Sequence, residues 1–188
     1  MTAARFTFHA TPLSGLVVIE CKPIEDGRGY FCRYYCVDEF REAGLRKPIV
    51  QINHTLTRKK GSIRGLHFQH PPHAETKIVS CLKGEIFDVA VDLRKGSPTF
   101  LRWHAEILSA ADRKSLLIPE GFAHGFQTLA GEGELIYLHT ASYAPEAEGG
   151  LNVLDPRLAI DWPLGIAEIS ERDRMYPMLA ADFEGITS

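Results

Sequence analysis

The chain has 188 residues, of which 45% are hydrophobic and 24% are charged, and its formal net charge is -3. This length suits one domain with a sizeable core, and the slightly acidic balance offers no basic surface for nucleic acid. No apolar stretch approaches the ~18 residues that suggest a membrane span, and the N-terminus shows no signal-peptide pattern.

The four cysteines predict a reducing compartment. Cys21, Cys32, Cys36 and Cys81 form no CxxC pair. On a strand, Cys32 and Cys36 would lie on the same face, which is a poor geometry for a disulfide. We therefore expect four reduced thiols in a cytoplasmic protein.

The hydrophobic pattern predicts many short strands and one early helix. Strands are expected at residues 16–21, 30–36, 49–57, 85–92, 100–108, 114–118, 125–129 and 134–143. A short helix is expected at residues 38–44, closed by Gly44, and another could start at Ser170. So many strands separated by frequent turns favour an all-β sandwich or jelly-roll barrel. We expect a single domain over residues 1–188, with a barrel core at about 16–163 and a C-terminal segment at 164–188.

Residues 64–92 form the central stretch of the sequence. It begins with a dense polar group: Arg64, His67, Gln69, His70, His73, Glu75 and Lys77. It then enters residues 85–92, where apolar and acidic residues alternate as in a half-buried strand. A second polar group lies at residues 118–126 and contains His124. So many imidazoles among strands indicate a barrel with a wet, reactive interior.

Several motifs carry a family resemblance. They are RGLHFQ at 64–69, KGEIFDVAVD at 83–92, RKGSPTF at 94–100, IPEGFAHGF at 118–126, YAPE at 143–146, DP at 155–156, IDWP at 160–163 and SERD at 170–173. In this order the chain resembles the dTDP-4-dehydrorhamnose 3,5-epimerase family from about residue 16 to residue 173. The resemblance implies a cupin-type jelly roll, usually a homodimer, that acts on a dTDP-linked 4-keto-6-deoxyhexose without a metal or organic cofactor.

Epimerisation beside a ketone requires a base, an acid on the opposite face, and a positive charge or donor at the enolate oxygen. The resemblance assigns the base to His67, whose imidazole type suits proton transfer near physiological pH. Asp173 matches the carboxylate that orients this imidazole. Lys77 fits the charge near the C4 oxygen, and Tyr137 matches the proton donor. Tyr143, six residues later and expected on the same strand face, is the second candidate for the acid.

Other polar residues are expected to hold the substrate. Arg28 and Arg64 match family arginines, and a planar guanidinium suits diphosphate oxygens. The full predicted binding set is Arg28, Arg33, Gln51, Asn53, Arg64, Gln69, His124, Tyr143, Glu148 and Arg172. Arg33 stands where the family commonly has glutamate, which leaves the identity of the nucleotide and sugar open.

Three alternatives remain. A metal-dependent cupin oxygenase or isomerase could use His67, His70, His73, Glu75 and His124, but three of these histidines are spaced by three residues rather than two. Prolines at positions 71 and 72 interrupt them further. A non-catalytic sugar-nucleotide-binding cupin is the second alternative. An enzyme that inverts only C3 or only C5 is the third.

The early aromatic residues predict a partner. Residues 30–35 carry more apolar surface than one sheet face easily covers. The resemblance suggests that they pair with a second subunit, so that Arg28 reaches the neighbouring site. Ordinary core packing of this strand is the alternative.

Overall fold

The computed structural model describes residues 4–187. Within them the chain forms β1 (Phe6–Ala10), β2 (Val17–Cys21), β3 (Ile24–Asp26), β4 (Gly29–Phe31), α1 (Val37–Glu42), β5 (Gln51–Thr57), β6 (Ser62–Gln69), β7 (Lys77–Lys83), β8 (Glu85–Asp92), β9 (Trp103–Ser109), β10 (Lys114–Ile118), β11 (Phe122–Thr128), β12 (Gly133–His139), a 3₁₀ turn (Pro145–Ala147), β13 (Glu148–Gly150), β14 (Glu168–Ile169) and α2 (Glu171–Met175). In this part of the chain, no helix combines the length and apolar character that crossing a bilayer requires.

The strands form two large sheets and a hairpin. The first sheet has the order β1-β2-β10-β7-β12-β5, and the second has the order β13-β6-β11-β8-β9. The short strand β14 joins the second sheet in parallel with β6, whereas β3 and β4 form a separate hairpin. The two sheets enclose one core between them, so the architecture is a jelly-roll barrel of the cupin type. The predicted all-β class is confirmed.

Apolar side chains from both sheets fill the barrel. This inner cluster includes Val18, Val79, Ile86, Ala90, Leu116, Phe126 and Leu135. Because strands from both sheets contribute, burial of this cluster holds the sheets face to face. The open part of the interior lies beside it and is lined by polar residues.

The outer faces of both sheets are also covered. Helix α1 places Phe40 against the outside of the first sheet, in one buried cluster with Ile19 and Leu138. Residues 151–186 cover the outside of the second sheet. Strand β8 is therefore buried on both faces, and Asp88 and Asp92 are fully buried. The expectation of a half-buried strand at residues 85–92 was wrong because the C-terminal segment covers the face that carries Val89 and Val91, while Asp88 lies on the inner face with Ile86 and Ala90.

Two predicted strands are shorter than expected. Of residues 30–36, only Tyr30 and Phe31 are in strand conformation, and they are 56% and 63% exposed. Strand β12 ends at His139, so Tyr143 lies on the loop that follows rather than on the same strand as Tyr137.

The structure also corrects the expectation for the cysteines. Cys21 and Cys32 are paired as a disulfide, with their Cα atoms 6.7 Å apart, whereas Cys36 and Cys81 are free. The end of β2 and the segment after β4 pack into one outer cluster that contains Cys21, Cys32 and Cys36. The spacing argument considered only the last two of these residues, and the tertiary fold brings the first two together.

Candidate active site

A cavity of about 770 Å³ opens between the two sheets. It contains all four predicted catalytic residues and every predicted binding residue except Arg28 and Arg33. Thr55, Arg58, Glu75, His139 and Glu168 also line it. The cavity is large enough for a small organic ligand and is mostly polar in its side chains.

One wall carries a His–Asp pair. His67 lies on β6, and its Nε2 atom is 2.9 Å from Oδ1 of Asp173 in α2. The helix positions Asp173 because Ser170 caps it and accepts the backbone N–H of Asp173 at 3.0 Å. The backbone N–H of Gly65 donates to the other carboxylate oxygen at 3.2 Å.

The carboxylate of the pair is held in its ionised form. Burial alone raises the pKa of Asp173, but the hydrogen bond and charge of His67 outweigh burial and lower it. Asp173 is 2% exposed, so its charge is poorly screened by water. The ionised carboxylate therefore accepts hydrogen bonds from both His67 and the backbone of Gly65.

Two further side chains enclose His67. Nη2 of Arg172 lies 3.4 Å from Nε2 of His67, and Nη1 of the same guanidinium is 3.1 Å from Oε2 of Glu148. The ring of Tyr176 packs edge-on to the imidazole with centroids 5.8 Å apart. These contacts restrict the orientation of the His67 ring.

The opposite wall comes from the first sheet. Tyr137 of β12 packs against the barrel core, and burial raises the pKa of its hydroxyl well above the usual range. The phenol therefore stays protonated at neutral pH. Lys77 begins the neighbouring strand β7, and its side chain is 11% exposed.

Two more His–carboxylate pairs lie beside Tyr137. His124 Nε2 is 2.7 Å from Oδ1 of the fully buried Asp88, and His139 Nδ1 is 2.7 Å from Oε2 of Glu75. His139 was not among the predicted site residues, and Glu75 was considered only as a metal ligand. Because side chains two residues apart on a strand share a face, the position of Tyr137 would have placed His139 on the same face of β12.

Polar contacts also define the mouth of the cavity. The hydroxyl of Tyr143 donates to Glu148 at 2.9 Å, and the Tyr143 side chain is about half exposed. Gln69 is buried, and its amide bonds to the backbone atoms of His73, Ser142 and Ala144. Gln69 therefore shapes the cavity through the chain around it.

The predicted arginines are divided between two locations. Arg64 lines the cavity, and its Nε atom donates to Thr57 at 2.9 Å. Arg28 lies in the β3–β4 hairpin, exposed and paired with Asp26. Arg33 pairs with Glu39 at 3.1 Å and lies outside the cavity. These two arginines are not brought to the site within one chain.

The histidines considered as metal ligands do not converge. His70 is exposed and packs on Phe68, whereas His73 faces Glu146 at 3.9 Å. Across residues 4–187, no group of three or more His, Cys, Asp or Glu side chains is placed to hold a metal ion.

Comparisons with known proteins agree on one family. The family model described as dTDP-4-dehydrorhamnose 3,5-epimerase matches residues 10–181. A dTDP-4-dehydrorhamnose 3,5-epimerase of Salmonella typhimurium is 43% identical over 171 residues, which cover 90% of this chain and 93% of that protein.

Solved structures agree. The dTDP-6-deoxy-D-glucose-3,5-epimerase of Legionella pneumophila, in complex with dTDP-4-keto-L-rhamnose, superposes with a TM-score of 0.90 at 38% identity and covers 97% of this chain and 99% of that one. A 3'-monoepimerase from Streptomyces bikiniensis, in complex with dTDP-quinovose, has a TM-score of 0.83 at 33% identity. The match covers 90% of this chain and 86% of that one. The chain therefore belongs to the dTDP-4-dehydrorhamnose 3,5-epimerase family of isomerases.

Proposed function

We propose that this chain inverts C3, C5 or both in a dTDP-linked 4-keto-6-deoxyhexose of the dTDP-4-dehydro-6-deoxyglucose type. The observation that carries the proposal is the placement of His67 and Tyr137 on different sheets, facing one cavity. A sugar ring between them would present one face to a base and the other to an acid. Inversion at a carbon requires this arrangement.

His67 is the proposed base. Its Nε2 atom is bound to Asp173, so Nδ1 is the nitrogen left to take the substrate proton. Asp173 orients the ring and stabilises the imidazolium that forms. The proton removed lies on C3 or C5, because each of these carbons neighbours the C4 ketone.

Lys77 is the proposed stabiliser of the enolate. Its ammonium group lies in the cavity at the start of β7, with most of its side chain buried. A positive charge in a poorly solvated site stabilises a developing oxyanion more strongly than it would in water. In the proposed complex, the C4 oxygen lies next to Lys77.

Tyr137 is the proposed acid, in preference to Tyr143. Its hydroxyl is protonated because burial raises its pKa, and it lies deep in the cavity. The hydroxyl of Tyr143 already donates to Glu148 at the mouth. Tyr143 is therefore better placed to contact the nucleotide than to protonate the sugar.

The remaining cavity residues would bind the nucleotide and sugar. Arg64 and Arg172 are suited to diphosphate oxygens because guanidinium groups bind them bidentately. Gln51, Asn53 and His124 present polar atoms further along the cavity. Arg28 and Arg33 would contribute only from a second subunit, so a homodimer forms part of the proposal. A cytoplasmic location stays a prediction.

Deuterium exchange tests the reaction. Metal-free protein is incubated with dTDP-4-keto-6-deoxyglucose in deuterated water and followed by NMR. We expect deuterium at C3, C5 or both, and the positions labelled identify the carbons that react. Exchange that requires added metal would favour a metal-dependent cupin, and binding without exchange of this or any related 4-keto sugar would favour a non-catalytic cupin.

A further inference from the structure

A continuous chain of hydrogen bonds runs along the first-sheet wall of the cavity, from its mouth towards Lys77. At the mouth, the backbone N–H of Tyr143 donates to Oε1 of Gln51 at 2.9 Å. Nε2 of Gln51 donates to Oδ1 of Asn53 at 3.2 Å. Nδ2 of Asn53 then lies 3.3 Å from Nε2 of His139. The register of β5 and β12 makes these links possible, because Gln51 pairs with His139 across the two strands.

Glu75 completes the inner part of the chain. Its Oε2 atom is 2.7 Å from Nδ1 of His139, and its Oε1 atom is 3.2 Å from Nζ of Lys77. The side chains of all three residues are about 10% exposed. Burial alone raises the pKa of Glu75, but the hydrogen bond from His139 and the charge of Lys77 outweigh burial and lower it. Glu75 is therefore an anion, which accepts hydrogen bonds but cannot donate them.

The two ends of the chain fix its direction. The backbone N–H of Tyr143 can only donate, and the carboxylate of Glu75 can only accept. His139 must carry its proton on Nδ1 and accept at Nε2 from Asn53. The amides of Asn53 and Gln51 are then oriented in the one way that satisfies both neighbours. Every donor points from the mouth towards Glu75.

We propose that Glu75 and His139 are positioning residues for Lys77. Through them, the hydrogen bond between Gln51 and the Tyr143 backbone at the cavity mouth sets the position of the Lys77 ammonium group. This inference rests on the proposed function, which places Lys77 at the C4 oxygen. Glu75 engages one of the three ammonium protons and leaves the others for the substrate. A donor held in place before reaction needs little reorganisation when charge develops on the oxygen. A substrate that contacts Gln51 at the mouth would therefore also affect how Lys77 stabilises the enolate.

The ring tautomer of His139 tests this direction without an activity assay. In histidine labelled with ¹⁵N, NMR should show His139 protonated at Nδ1 and unprotonated at Nε2. Glu75→Gln should change the tautomer population, because a Gln amide can donate as well as accept. Gln51→Ala should shift the Nε2 signal, because Asn53 loses its own donor. A wild-type His139 protonated at Nε2 would overturn the inference.

Kinetics test the effect on Lys77. Glu75→Gln and His139→Gln should lower kcat for deuterium exchange by about 10- to 100-fold, as small misplacements of catalytic groups do. KM should change less, because the charge of Lys77 acts mainly on the enolate. Gln51→Ala combined with Glu75→Gln should lower kcat by less than the product of the single effects.

A matched control lies on the same two strands. His54 of β5 and Glu134 of β12 form an exposed pair at 3.3 Å outside the cavity lining. His54→Gln and Glu134→Gln should leave kcat unchanged. Wild-type protein without exchange would refute the proposed function and this inference together. Wild-type exchange with Glu75→Gln and His139→Gln both within about twofold of it would refute the inference alone.

Discussion

Nε2 of His67 lies 2.9 Å from Oδ1 of Asp173, although the two residues are 106 positions apart in the sequence. The contact joins a strand of the second sheet to a helix near the end of the chain. It gives a cavity histidine a defined ring orientation and a counter-charge. Both properties are needed for a general base that is restored in every cycle.

Removing the proposed base should slow proton removal strongly. We expect His67→Asn to lower the rate of deuterium exchange by roughly 10²- to 10⁴-fold, the usual contribution of general base catalysis. Asp173→Asn should also lower the rate, because an amide cannot stabilise the imidazolium. His104→Asn is the control, since His104 pairs with Glu106 at 2.8 Å outside the cavity lining. Near-native exchange in His67→Asn would show that another group is the base.

Removing the proposed acid, Tyr137, should separate deuterium exchange from inversion. Tyr137→Phe should impair inversion more than deuterium exchange, because His67 can still remove a proton and return deuterium to the same face. Tyr143→Phe should mainly raise KM. NMR of the product epimers and of label content measures both quantities in one sample. Equal losses of exchange and inversion in Tyr137→Phe would argue against an acid on the opposite face.

Mixed dimers test whether Arg28 acts on the neighbouring subunit. Arg28→Ala and His67→Asn proteins should each be weakly active alone. After subunit exchange in equal amounts, an isologous dimer with shared sites should regain about a quarter of wild-type activity, since half of the dimers then hold one intact site. Light scattering first confirms that dimers form. No recovery from demonstrated mixed dimers would place Arg28 outside the neighbouring site.

The Asp92 carboxylate should make the free energy of unfolding depend on pH in the acidic range. It accepts hydrogen bonds from Arg94, Ser97 and Thr99 at 2.6 to 3.0 Å. Burial opposes ionisation, but these donors outweigh burial and lower the pKa of Asp92 to about 2. A lowered folded-state pKa gives stability that is complete above the unfolded value near ~4 and is lost as the pH falls towards 2.

Asp92→Asn should therefore destabilise the protein by about 2 kcal/mol at pH 7 and much less near pH 2. Urea unfolding at several pH values measures the difference between the two proteins. Asp112→Asn is a suitable control, because Asp112 accepts only backbone N–H groups in an exposed turn. A constant difference between wild type and Asp92→Asn across this pH range would contradict the assignment.

Thiol labelling tests the cysteine assignments. In native, unreduced protein, Cys36 should react with a maleimide, whereas Cys21 and Cys32 should react only after a reductant is added. Cys81 should resist labelling near pH 8, because burial raises its pKa to about 11 and the thiolate is the reactive form. Mass spectrometry of peptides identifies each modified residue. Rapid labelling of Cys32 without reductant would show that the disulfide is not formed.

Local sequence patterns predicted much of the fold. Residues 114–118 and 85–92 form strands with the predicted bounds, because their apolar runs are flanked by clear turn residues. Residues 30–36 misled the prediction because aromatic side chains suit a strand as well as an exposed hairpin tip. The burial of β8 on both faces depends on residues 151–186, which are distant in the sequence.

In the site, as in the fold, local motifs were predicted and contacts between distant residues were missed. The sequence predicted His67, Lys77 and Tyr137 because each lies in a recognisable stretch, and all three line the cavity. The contact between Glu75 and His139 was missed because it depends on the register of β7 against β12, where Lys77 pairs with His139. Register depends on the whole sheet and cannot be derived from either strand alone.

The position of Asp173 after the other proposed catalytic residues in the sequence has a consequence for biosynthesis. It is carried by α2, which follows β14, and β14 joins the barrel through only two residue pairs, Glu168 with Ser62 and Ile169 with Ile63. During translation, every other proposed catalytic group leaves the ribosome earlier. A chain that stops before residue 173 would carry the proposed base without its counter-charge, so catalytic competence requires synthesis to continue through residue 173.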